Sequence, residues 1–158
     1  LNTLVNEYVD LAFHGVRAHR PGFEVAIVRE YDPAAGEVDL VPQQIGQVLV
    51  NLFNNAFDAV EERRRRDGAS YTPAVTVSTR RVAGATVIRV TDNGPGIPDH
   101  VRDKIFEPFF TTKPAGSGTG LELSLSYDIV TRGHGGTLAV ESVEGAGTTF
   151  LVTLPSSK

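Results

Sequence analysis

The sequence predicts an α/β layer fold in which helices cover one face of a mixed sheet. Segments with a 3.6-residue apolar period alternate with segments of period two. Their order is helix, two strands, helix, two strands, a long loop, helix, two strands. Gly- and Pro-rich junctions separate them. A chain of 158 residues that is 41% apolar fits one domain and a little extra.

Taken in order, Leu1, Leu4, Val5, Tyr8, Leu11 and Ala12 lie on one helical face, and Gly15 and Pro21 close that helix. From Phe23 the period becomes two: Phe23, Val25 and Ile27 alternate with Glu24, Ala26 and Val28, which predicts a strand to about Tyr31. Asp32-Pro33-Ala34-Ala35-Gly36 reads as a turn and Glu37 to Leu40 as a short second strand. Pro42 opens the main helix, about 42–66, with an apolar stripe of Ile45, Val48, Leu49, Leu52, Phe53, Ala56, Ala59 and Val60. Arg63 to Arg66 suit its negative end, and Asp67-Gly68 stops it. Strands follow at about 74–82 and 85–91, joined at Ala83-Gly84. Residues 93–120 are rich in Gly, Pro and Thr, with one helical turn near Asp99 to Ile105. So long an irregular loop in a compact domain reads as a functional lid. A helix over about Thr119 to Arg132 and strands at about 137–142 and 148–154 complete the chain.

Composition excludes several classes of function. A net charge of −4 argues against nucleic acid as a partner. The Arg63–Arg66 run, beside Glu61 and Glu62, reads as a solvated helix end. Cys is absent, which removes disulfides, thiolate zinc sites and cysteine nucleophiles. Absence of Met predicts a piece cut from a longer protein. With no apolar run near 18 residues and no signal peptide, no membrane contact and a cytoplasmic location are expected.

Three groups of residues could carry chemistry. On the main helix Gln47, Asn51, Asn55 and Asp58 fall within about 80° of one another, apart from the apolar stripe. Asn51, Asn54 and Asn55 are poor helix formers. Their amide oxygens suit a hard cation such as Mg²⁺, with a plain solvated face as the alternative. Next, Asp92 shares the parity of Ile88 and Val90, so it points with apolar side chains and needs donors. A purine amino group or a backbone or hydroxyl donor would serve. Gly94 and Gly96 beside it would let a flat ligand approach the backbone, or simply make a turn. Last, Gly116-Ser117-Gly118-Thr119-Gly120-Leu121 leads into a helix, as an anion site or a linker would.

In order and spacing these segments resemble the catalytic, ATP-binding domain of sensor histidine kinases. That domain belongs to an ATPase group shared with gyrase, the ninety-kilodalton heat-shock chaperone and MutL. Residues 47–59, QVLVNLFNNAFDA, resemble the asparagine box. Residues 92–98, DNGPGIP, match the first glycine box, and residues 105–113, IFEPFFTTK, the phenylalanine box. Gly118-Thr119-Gly120-Leu121 opens the second glycine box, and residues 145–150, GAGTTF, match the closing motif. The resemblance covers about residues 23–155.

It implies a five-stranded mixed sheet, in an α+β two-layer sandwich covered on one face by about three helices, with a long ATP lid. It implies ATP and Mg²⁺ as cofactors. Asn55 would hold the metal and Asn51 support it one turn earlier, the two forming the catalytic pair. Asp92 would accept the adenine amino group, with Gly94, Gly96, Ile97 and Thr148 around the base. Phe106, Phe109 and Phe110 would anchor the lid, Lys113 would reach the phosphates, and Gly118, Thr119, Gly120 and Leu121 would offer them backbone N–H groups. Hydrolysing relatives carry a Glu at the position of Asn51; an amide is no base, so phosphoryl transfer to a histidine outside this chain is expected rather than hydrolysis. A non-catalytic nucleotide-sensing or protein-interaction module is the alternative.

The pattern breaks at Glu122, where the family has a third glycine. Facing a phosphate about 5 Å away, its charge costs roughly 3 kcal/mol at an effective dielectric near 20; in a first helical turn it points to solvent. Asp58 stands where many members carry a basic residue, and it is expected to touch ligand waters or a basic neighbour. His14 lacks the acidic neighbour of a phosphoacceptor. Residues 1–21 are therefore expected to be the end of the dimerisation helix pair, with residues 22–158 the ATP-binding domain. The partners implied are the protein's own dimerisation and phosphoacceptor domain and a response regulator, within a homodimeric full-length protein.

Overall fold

A computed structural model describes residues 1–110 and 121–156. The elements are α1 (Asn2–His19), β1 (Ala26–Glu30), α2 (Pro42–Asp67), β2 (Ala74–Val82), β3 (Ala85–Asp92), α3 (Asp99–Arg102), α4 (Glu122–His134), β4 (Thr137–Val143) and β5 (Gly147–Pro155). Among the described residues the strands form one sheet in the order β1-β2-β3-β5-β4. β1 and β2 run parallel because α2 is their crossover, while the hairpin β2–β3 and the pairs β3–β5 and β4–β5 are antiparallel. This is the mixed five-stranded sheet that the family resemblance implied. Among the described residues no helix is long and apolar enough to cross a membrane.

Strand parity divides the sheet. Val75, Val77 and Thr79 of β2, Ile88 and Val90 of β3, and Phe150, Val152 and Leu154 of β5 are buried on one face. Ile45, Val48, Leu49, Leu52, Phe53, Ala56, Phe57 and Val60 of α2 are buried with them in one core cluster. Register puts Val75, Asp92 and Thr148 in one row across three strands. Asp92 thus lies at the end of an apolar face because its strand parity admits nothing else.

One sequence expectation changes. Residues 37–40 make no strand. Asp32 caps a 3₁₀ turn over Pro33–Ala35, and beyond it Val38 and Leu40 pack on the core while belonging to no ladder. Their alternation reflects side-chain packing of an extended segment. Val5, Val9, Ala12 and Val16 of α1 are buried in the same core, and Phe13 meets Phe57 edge-on at 6.4 Å between ring centroids. Gly46 makes this packing close, since a Cβ there would enter the Tyr8 ring. Within the described residues α1 therefore packs along α2 and shares its core.

Candidate functional site

A cleft of about 700 Å³ runs along the polar side of α2. Its other walls are the loop after β3 and α3, the first residues of α4, and the C-terminal half of α1. Of the side chains picked out by sequence, Asn51, Asn55, Asp58, Asp92, Gly96, Ile97 and Thr148 line it.

Asp92 closes β3 and is 5% exposed. One carboxylate oxygen accepts the Gly94 N–H at 2.9 Å. Burial pushes the carboxyl up to about 6, against the opposing pull of the Gly94 and Thr148 backbone N–H groups. A carboxylate this poor in solvent gains from any further donor in the cleft.

The two glycines after it are required by the fold itself. At Gly94 a Cβ would lie 2.9 Å from the Ala59 Cβ, so the loop can press on α2 and deliver its amide to Asp92 only without a side chain. Gly96 has φ +77° and sits against the Val143 carbonyl, where a side chain has neither the conformation nor the room. Gly94 does not line the cleft; Gly96 does. The loop is pinned further. Pro95 O accepts the Gly145 N–H at 2.7 Å, and Ile97 N–H donates to Ser142 Oγ at 2.7 Å. Ser142 Oγ in turn lies 3.0 Å from the buried Thr148 hydroxyl. On the other side Asn93 Oδ1 accepts from Tyr71 Oη and the Ala74 N–H, and Arg63 donates to the Asn93 carbonyl at 2.9 Å.

Asn51 is a strut. Its Oδ1 accepts from Gln47 at 2.9 Å, and its Nδ2 donates to the buried Ser126 hydroxyl at 3.1 Å and to the Glu122 carbonyl at 3.3 Å. It therefore ties α2 to the first turn of α4. Asn55, one turn on, is half-buried on the cleft wall. Asp58 accepts from Arg20 at 2.8 Å, the basic neighbour coming from the end of α1. Glu122 is the first residue of α4, exposed at the cleft rim, in the first-turn position that favours an acid.

Phe106 is not among the residues lining the cleft; its ring lies tilted against Tyr127 at 5.4 Å between centroids and edge-on to Phe150 at 6.3 Å. Leu121 precedes α4, 39% exposed and outside the cleft wall. Lys113, Gly118, Thr119 and Gly120 lie outside the described residues. Sequence reading missed Arg20, Ser126 and Ser142. Nothing local marks them, because each acts across the fold.

Among the described residues no group of three or more His, Asp or Glu side chains could hold a metal. A cation here would need ligand oxygens to complete its shell, which is how Mg²⁺ binds with one protein oxygen plus phosphates and water. The amide of Asn55 fits that demand. Asn51 fits less well, since its oxygen already accepts a hydrogen bond.

Residues 40–158 match the family described as histidine kinase-, DNA gyrase B- and HSP90-like ATPase. The chain is 35% identical over 157 residues to the sensor protein FixL of Bradyrhizobium diazoefficiens, covering 99% of this chain and 28% of that protein. It is 34% identical over 155 residues to the sensor histidine kinase ZraS of Escherichia coli K12, covering 98% of this chain and 30% of that protein. The chain thus spans less than a third of the length of either relative. Its fold matches the catalytic domain of the histidine kinase ThkA with a TM-score of 0.79 and 30% identity, over 99% of this chain and 92% of that one. It also matches ThkA solved in complex with the response regulator protein TrrA, with a TM-score of 0.75 and 27% identity, over 99% of this chain and 40% of that one.

Proposed function

The chain belongs to the histidine kinase-, DNA gyrase B- and HSP90-like ATPase family, and on that premise we propose that its cleft binds Mg-ATP for phosphoryl transfer to a histidine outside this chain. The observation that carries the reading is Asp92. A buried carboxylate held by two backbone N–H groups at the end of an apolar wall is an acceptor for the adenine amino group. Ile97, Val101 and Ile105 offer apolar surface beside it for the base and exclude water. Asn55 would be the protein ligand of Mg²⁺, which when bound neutralises charge on the phosphates.

Asn51 separates transfer from hydrolysis. Its amide accepts no proton, and its hydrogen bonds to Gln47, Ser126 and Glu122 hold it as a support for α4. The chain itself supplies position and charge, which is most of what phosphoryl transfer requires. Partners in the longer protein would be its own phosphoacceptor and dimerisation domain, with a homodimer bringing the two together. A response regulator, as in the ThkA complex, would take the phosphoryl group onward. Such a domain works where ATP is, in the cytoplasm. The core shared by α1 and α2 supports assigning residues 1–20 to the nucleotide-binding domain itself.

The test is titration of Mg-ATP into the chain, together with transfer of its labelled γ-phosphoryl group to a supplied dimerisation helix pair. Binding with transfer and little free phosphate is expected. Steady phosphate release from the chain alone, or no nucleotide binding, would overturn the reading.

A further inference from the structure

The charges around the cleft leave a gap that one residue fills. Its described walls carry the carboxylates of Asp58, Glu62, Asp92 and Glu122. Against these, Arg20 is the one arginine or lysine among the described lining residues. A nucleotide brings further negative charge into that space, and a cation facing it strongly biases the outcome.

Arg20 is the residue just past α1, where its own N–H caps the helix on the Val16 carbonyl at 2.9 Å. Its side chain crosses to α2. One terminal nitrogen bonds Asp58 at 2.8 Å and the other pairs with Glu61. Asp58 and Glu61 are one turn apart on α2, and Asp58 lies three residues beyond Asn55 on the same stripe. Glu61 is shared with Arg65 at 2.9 Å. A guanidinium offers five N–H donors in a planar fork, and two carboxylate contacts do not exhaust them.

Stability alone does not account for this placement. α1 is already fixed by four buried residues and the Phe13–Phe57 contact. The Arg20 side chain is 39% exposed, and pairs so open add little.

We propose that Arg20 is a phosphate-facing cation of the cleft, oriented by Asp58 and Glu61 and delivered by α1. The proposal deepens the nucleotide-binding reading above and rests on it. Asp58 then acts as a positioning residue, whose task is to aim a guanidinium rather than to touch the ligand.

The experiment titrates adenosine, Mg-ADP and Mg-ATP into the wild-type chain and into Arg20→Gln and Arg20→Lys. Arg20→Gln is expected to weaken Mg-ADP and Mg-ATP by about tenfold or more while leaving adenosine within about twofold, and Arg20→Lys to recover part of the loss. Equal Mg-ADP affinity in wild type and Arg20→Gln would overturn the proposal. So would a proportionate loss of adenosine and Mg-ADP, the mark of a strut alone. Failure of wild type to bind any of the three would instead sink the nucleotide reading, and this proposal with it. Arg20→Lys keeps the charge and reports even if Arg20→Gln melts too low to assay. It should weaken Mg-ADP less than a full loss of the guanidinium would and leave adenosine within about twofold; Mg-ADP affinity equal to wild type would overturn the proposal.

Discussion

Replacing Asp92 with Asn should make the empty protein more stable and worse at holding nucleotide. The folded carboxyl is pushed from 3.8 up to about 6. The folded state therefore keeps its proton to higher pH than the unfolded chain does. Asp92 is neutral in both states only below about pH 3. Between about pH 4 and 6 the unfolded chain gives up this proton while the folded protein keeps it, so the penalty of the buried carboxyl accrues across that window. The full difference is about 3 kcal/mol, nearly complete by pH 7. Asn keeps an oxygen for the Gly94 N–H and carries no charge, so Asp92→Asn should gain up to about 3 kcal/mol at pH 8 and only about 0.5 kcal/mol at pH 4. For a domain of this size that is about 6–12 °C in melting temperature. The remaining amide group of Asn is a donor and would oppose the adenine amino group, also a donor. Thermal melts from pH 4 to pH 8, with and without Mg-ADP, read both effects together. The expected pattern is a melting-temperature difference between variant and wild type that widens with pH, alongside a Mg-ADP-induced rise lost in the variant. An Asp92→Asn protein less stable at pH 8 would refute the buried-charge reasoning. One that keeps the full Mg-ADP rise would refute the assignment of Asp92 to the base.

Three more outcomes follow from the site. Asn51→Ala removes the strut to the buried Ser126 hydroxyl and should lower stability by about 1–2 kcal/mol in urea unfolding. Gly96→Ala meets both a φ of +77° and the Val143 carbonyl, so a loss of about 1–3 kcal/mol is expected, with weaker adenosine binding in calorimetry. Glu122→Gln should strengthen Mg-ATP binding by less than about tenfold, because its side chain is exposed and screened; a larger gain by calorimetry would place the carboxylate against the phosphates.

Local periodicity made most of the architecture legible. The long α2 stripe, the β2–β3 hairpin and the parity of Asp92 depend on residues close in sequence, and each survives in the fold with bounds shifted by a residue or two. What stayed hidden depends on distance along the chain. Arg20 and Asp58 are 38 positions apart, and Asn51 and Ser126 are 75 apart. No periodicity links such pairs. The Glu37–Leu40 segment misled for the converse reason: alternation records which side chains face the core and says nothing of whether a neighbouring strand is there to receive the backbone. Gly94 was legible as a glycine that something must approach, and the Ala59 backbone and side chain of α2 approach it within the protein itself.

The polar side of α2 explains why so costly a helix is kept. Asn51 fastens the start of α4, Asp58 the end of α1, Ala59 the Gly94 turn, and Arg63 the Asn93 and Gly94 carbonyls. Each wall of the cleft is thus attached to one rigid rod. Between those attachments Asn55 is left facing the cavity. Three asparagines in five positions sacrifice helix propensity, on the order of 0.5 kcal/mol each. The opposite face repays this with Ile45, Leu49, Leu52, Phe53 and Phe57, all fully buried. A helix stabilised by packing on one side can give its other side to polar groups chosen for what they hold. The same arrangement means that a substitution at Asn51 or Asp58 is felt at a different wall, α4 in one case and α1 in the other. Comparing adenosine with Mg-ADP for each variant separates effects on the base from effects on the phosphates, because Asp92 and Asn55 approach the cleft from different elements, β3 and α2.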